Sequence, residues 1–106
     1  MITMDDFKKV EIQIGEIVSV EHIEGSDKLL KLKVNFGDYE RQVLSGIKVY
    51  FPDPQALVGK RCPFVTNLAP RVMMGLESQA MILATGGVDT PFALFETTGT
   101  PGDRVK

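Results

Sequence analysis

The sequence predicts an all-β domain, a small five-stranded barrel with short helical insertions, and three observations carry that expectation. Short apolar runs are separated by Gly and Pro along most of the chain, the punctuation of strands and turns. Leu30, Leu32, Val34 and Phe36 alternate with Lys31, Lys33 and Asn35, the period of a strand with one face buried. The first apolar run, Val10 to Val20, is interrupted by Gly15, as in a strand that bends to serve two halves of a barrel.

In order along the chain, Val10, Ile12 and Ile14 alternate with Glu11 and Gln13, and Ile17, Val18 and Val20 follow Gly15 as the second half of the first strand. Glu24-Gly25-Ser26-Asp27 is a turn into the second strand, which runs to Phe36. Gly37-Asp38 makes a hairpin into a third strand over Arg41–Ser45, and the two strands together are expected to present Lys31, Lys33 and Arg41 to solvent. From 46 to 59 the alternation lapses, and the prolines around Asp53 point to short helical turns at 46–51 and 55–58. A fourth strand is expected over 61–66, with Pro63 at an edge or bulge. A loop should cover 67–78, and a strand over 79–85 should be buried on both faces. Short strands are expected at 92–95 and 103–106. Five main strands, a helical insertion between the third and fourth and a bent first strand describe an OB-fold barrel. Its second and third strands, with the loops joining strands one to two and four to five, form the oligonucleotide-binding face.

The chain has 106 residues, the length of one domain over residues 1–106. No apolar run approaches the roughly 18 residues that cross a bilayer, so neither a membrane anchor nor a membrane partner is expected. The opening residues, with Asp5 and Asp6 and no apolar h-region, do not form a signal peptide. The single cysteine, Cys62, cannot form an internal disulfide and suits a reducing cytoplasm. The net charge of −2 argues against a nucleic-acid partner until its distribution is drawn. Residues 1–27 carry two lysines against seven acids, whereas residues 28–71 carry eight Lys or Arg against three acids. A basic middle in an acidic chain is the footprint of a localised phosphate-binding face. It coincides with the strands and loops of the expected binding face.

Five stretches resemble, in order and at fitting spacing, the tRNA-binding domains appended to methionyl-tRNA synthetases or found as free-standing dimers. They are the opening from Asp5 to Ile12, Gly25-Ser26-Asp27-Lys28-Leu29-Leu30, Arg41-Gln42-Val43-Leu44-Ser45-Gly46-Ile47, Asn67-Leu68-Ala69-Pro70-Arg71, and Gly75-Leu76-Glu77-Ser78-Gln79-Ala80-Met81. Pro52 to Gly59 is similar to the bacterial synthetase C-terminal domain. The resemblance implies a non-catalytic OB-fold that binds tRNA by its structure and pairs as a homodimer, with residues 86–106 contributing to a two-fold interface. The methionyl-tRNA synthetase catalytic region is an implied partner. Val72 stands where the family often has a basic residue and Ala80 where it often has Gly.

On this reading Lys28, Lys31, Lys33, Arg41 and Arg71 contact phosphates. Asn67, Ser78 and Gln79, with Ser45 on the third strand, suit a ribose hydroxyl or a base edge, although Asn67 and Ser78 could equally close their loop by bonding backbone. Met73, Met74 and Met81 could pack against sugar or base faces, because thioethers adapt to irregular surfaces, although Met81, in an apolar strand, reads better as core. No Trp is present and no aromatic falls on the outward positions of the second strand. Shape-reading of folded RNA therefore fits better than stacking along a single strand. One His (His22) and one Cys fall below a zinc ligand set, Gly86-Gly87 is not a phosphate loop, and no cofactor, metal or catalytic group is expected. The competing reading is an export-chaperone-like dimer that binds unfolded polypeptide through exposed apolar surface.

Overall fold

The computed structural model describes residues 1–106. Its frame is a curled five-stranded antiparallel sheet built from β1 (Ile12–His22), β2 (Leu30–Asn35), β3 (Glu40–Ser45), β4 (Arg61–Val65) and β7 (Met81–Ile82), in the order β3-β2-β1-β4-β7. This is an all-β, OB-fold-like barrel. A one-turn helix, α1 (Met4–Phe7), precedes it, capped by Thr3. Two 3-10 turns, Lys48–Tyr50 and Pro54–Leu57, occupy the expected helical insertion, the second starting on Asp53 as cap and Pro54.

The long first strand serves both halves of the barrel. Its residues 12–16 pair with β4 and residues 16–22 with β2. The bulge that turns it lies at Val18, where the register shifts between Ile17 and Ser19, and not at Gly15. Gly15 has a different task. A Cβ there would collide with Val34 and come within 2.7 Å of the Phe36 ring, so its absence lets β2 cross close over β1. Ile17, Leu30, Leu32, Val34, Phe36, Val43, Leu57, Cys62 and Phe64 fill the interior.

Pro63 sits within the sheet, where β4 pairs β1 through Ile14. Its carbonyl accepts from the Leu83 N–H (3.2 Å), but proline has no N–H to return the bond. The β4–β7 ladder stops there, and the strand expected over 79–85 is broken. It divides into β7 and β8 (Ala84–Thr85), and β8 pairs only with β9 (Ala93–Leu94). Burial on both faces is likewise wrong: Ala84, Thr85 and Met81 are exposed. The loop expected over 67–78 contains a hairpin, β5 (Arg71–Met73) and β6 (Leu76–Ser78). Met74 (φ 54°) and Gly75 (φ 76°) form its two-residue turn, the primed geometry that matches strand twist. In place of a strand at 103–106 there is a single bridge, Gln13 to Arg104. Around it the chain ends are joined by backbone bonds from Ile14 to Asp103 O (2.9 Å), Gly102 to Ile14 O (2.7 Å) and Val105 to Ile12 O (2.8 Å).

Candidate nucleic-acid interface

Cross-strand partners share a face, so the ladder between β2 and β3 decides what faces solvent. Lys33 pairs with Gln42 and Lys31 with Leu44, whereas Val34 pairs with Arg41 and Leu30 with Ser45. The outer face therefore carries Lys31, Lys33, Gln42 and Leu44. Lys33 is exposed. Lys31 is half-buried and its Nζ lies 3.1 Å from Glu21 Oε2 on β1. Beyond them the β1–β2 turn is fixed by Ser26, whose Oγ accepts from the backbone N–H groups of Lys28 (3.3 Å) and Leu29 (3.0 Å). That leaves Lys28 exposed in the turn leading into β2.

The β5–β6 hairpin closes the other side. The Met74 methyl lies 3.5 Å from where a Cβ on Gly25 would sit, so the hairpin tip rests against the β1–β2 turn. Arg71 is exposed at the base of the hairpin, opposite Ser78. Lys31 and Lys33 thus share the outer face of the sheet, with Arg71 exposed on the adjoining hairpin and Lys28 exposed in the β1–β2 turn.

The other candidates occupy different places. Arg41 lies on the inner side, half-buried, and not in solvent as expected. Its guanidinium sits 4.7 Å from the centre of the Tyr39 ring and donates to the carbonyls of Thr66 and Gln79. Ser78 is buried, accepting from Leu44 N–H (3.0 Å) and donating to Ala80 O (3.1 Å). Gln79 Oε1 accepts from Gln42 N–H (3.0 Å) while the Gln79 N–H donates to Gln42 O (2.9 Å). These three side chains stitch β3 to residues 77–80 and so close the barrel. Asn67 ties down the N-terminal segment: its Oδ1 accepts from Glu11 N–H (2.8 Å) and its Nδ2 donates to Lys9 O (2.6 Å). Ser45 is half-buried on the side of Leu30.

Sequence reasoning missed Gln42 and Leu44 as outward residues. Gln42 Nε2 reaches Glu77 O at 2.9 Å, linking the sheet face to the hairpin. Cys62 is fully buried, and its thiol is pushed up to about 11, first by burial and then by the Glu96 carboxylate, against the opposing effect of Lys60. No cluster of three or more His, Cys, Asp or Glu is placed to hold a metal, and no helix is long and apolar enough to cross a membrane.

A curled five-stranded barrel, with cations on the outer face of β2–β3 and a loop on either side, defines an OB-fold-like binding domain. The family model described as "Putative tRNA binding domain" matches residues 12–103. The chain belongs to this tRNA-binding domain family, a family of binding domains and not of catalysts. The MetRS-related protein from Pyrococcus horikoshii is similar to it at 34% identity and a TM-score of 0.93, over 100% of this chain and 98% of that one. The CsaA chaperone protein from Picrophilus torridus is similar at 27% identity and a TM-score of 0.86, over 100% of both chains. The chaperone CsaA from Bacillus anthracis, at 20% identity, a TM-score of 0.85, and coverage of 100% of this chain and 99% of that one, shares the fold.

Proposed function

We propose that the chain is a structure-selective tRNA-binding accessory domain that works in the cytoplasm as a homodimer through residues 86–106, alongside or as part of methionyl-tRNA synthetase. The observation that carries this reading is that Lys31 and Lys33 share the outer face of β2, with the exposed Arg71 and Lys28 on the hairpin and turn that adjoin the sheet, in a chain whose net charge is −2. Each cation that neutralises a phosphate releases counterions, so affinity falls with salt in proportion to the number of contacts. Four contacts give weak binding, on the order of 10⁻⁴ to 10⁻⁶ M at physiological salt. A dimer or a tether to a synthetase raises effective concentration without new contacts. Exposed Phe95 and Val88 beside β8–β9 support the two-fold contact.

The test is binding of folded tRNA, duplex DNA and an unfolded polypeptide at two salt concentrations, with the paired charge reversal Lys33→Glu and Arg71→Glu. Preference for tRNA, a slope of log affinity on log salt near about −3, and a loss of about tenfold or more in the variant are expected. Unchanged tRNA affinity in the variant would overturn the assignment. A second reading, binding of unfolded polypeptide, is favoured by the exposed Val72 and Met74 on the hairpin and by the likeness to the Picrophilus chaperone. It predicts salt-insensitive binding of the polypeptide and none of tRNA.

A further inference from the structure

Two residues beyond Gln42, Leu44 leaves the outer face of β3 opposite Lys31, yet it is buried. The hairpin leans over it without filling the space between. What remains is a half-open hollow of about 90 Å³, walled by Leu44, Leu68, Met73, Ala80 and Met81, with Arg71 at its margin. Met81 is 46% exposed although its neighbours Ala80 and Ile82 are buried. A long apolar side chain is held at the surface with its outer side uncovered.

We propose that this hollow seats one unpaired nucleobase of the RNA held by the adjoining cations, an inference that rests on the tRNA-binding reading above. A nucleotide places an apolar ring between two phosphates. The protein repeats that order in space, with Lys31 across the ladder from Leu44 on one side and Arg71 on the other. Size agrees as well. A closed cavity of about 150 Å³ holds a whole benzene ring, so a half-open one of about 90 Å³ accepts part of one ring and no run of side chains. The walls are soft, since the thioethers of Met73 and Met81 adjust to rings of different outline.

The hollow also has little with which to read a base edge. The Ser78 hydroxyl, its one neutral polar side chain, is committed to Leu44 and Ala80. The site therefore selects a base for being unpaired and not for its identity, which is how a domain recognises folded RNA by structure.

The experiment uses the whole chain with its methionine methyls labelled with carbon-13, which gives five signals from Met1, Met4, Met73, Met74 and Met81. Three RNA hairpins are compared: one with a single bulged nucleotide, one with an abasic residue in that place, and one fully paired. The bulged RNA should move the Met73 and Met81 methyls upfield by ring current, and removing the base should cost about fivefold in affinity. Purine and pyrimidine bulges should bind alike. Met81→Ser should abolish the preference for the bulge and leave the salt slope unchanged. Equal, salt-dependent binding of bulged and abasic RNA with unmoved methyls would overturn the inference and leave RNA binding standing. Binding of no RNA at all would remove both. Methyl shifts caused by an unfolded polypeptide, with none caused by RNA, would assign the hollow to protein.

Discussion

Glu21 and Cys62 show how single residues tune this barrel. Glu21 holds Lys31 at 3.1 Å, with Glu21 exposed and Lys31 half-buried. Such a pair contributes little to stability, but a phosphate must compete with Glu21 for Lys31. Glu21→Gln should leave thermal stability almost unchanged, raise tRNA affinity about twofold and steepen its salt dependence, which a salt titration of both proteins measures. Cys62 works in the interior. With its thiol raised to about 11, the folded chain keeps the proton at pH values where the unfolded chain releases it. Its contribution to stability is therefore fully present below about pH 9, falls as pH rises from about 9 to 11, and levels off above. Denaturant midpoints across that range should show the fall, and Cys62→Ala should flatten it. At neutral pH the native thiol should resist alkylation until the chain unfolds.

Among the elements, the β5–β6 hairpin carries an internal conflict. Its turn requires positive φ at both central residues, and Met74 supplies it at 54° without the freedom of glycine. Met74→Asn gives the Asn-Gly pair that such turns favour. It should raise stability by about 0.5–1 kcal/mol, read as a higher denaturant midpoint. Methionine at this tip, against Gly25 and beside the candidate RNA face, fits contact better than turn formation. The alternation of β2 and the proline-bounded 3-10 turns were legible in the sequence, because each is set by local pattern, whereas the bend in β1 was foreseen but misplaced: Gly15 serves a close approach and the bulge falls at Val18. The facing of β3 was also within reach. A two-residue Gly37-Asp38 turn puts Asn35 opposite Glu40, Val34 opposite Arg41 and Lys33 opposite Gln42, so Arg41 had to point inward. Following the register through the turn would have removed Arg41 from the phosphate contacts and added Gln42. The hairpin and the broken strand after it were hidden for a different reason. Both depend on where Pro63 and β3 stand in space, and neither leaves a period in the chain.

Over the whole molecule, net charge and charge placement point in opposite directions, and placement is what an RNA would meet. The acids of the first 27 residues and the cations of residues 28–71 were visible as blocks in the sequence. The sheet then sorts the second block. Lys28, Lys33 and Arg71 reach solvent, Lys31 is shared with Glu21, Lys48 donates to Ser26 O at 3.2 Å, Arg61 is bound to Glu16 at 2.9 Å and Lys60 to Glu96 at 3.0 Å, and Arg41 is committed to the closure of the barrel. What remains for a partner is about half of what the sequence displays. The pairs of Arg61 with Glu16 and of Lys60 with Glu96 could not be read beforehand, because each joins residues far apart in the chain.

The bonds between the two ends set the order in which the protein can come into being. Below its bend, β1 pairs with β4 on one flank and with residues 102–105 on the other. Gln13 reaches Gly102 across 89 positions of sequence. Closing so long a loop must precede the contacts that reward it, which slows folding. During synthesis the first strand of the sheet waits with a bare edge until residues 102–105 have followed it. Until then that edge is open to mispairing, although every other strand of the five-stranded sheet has already been made.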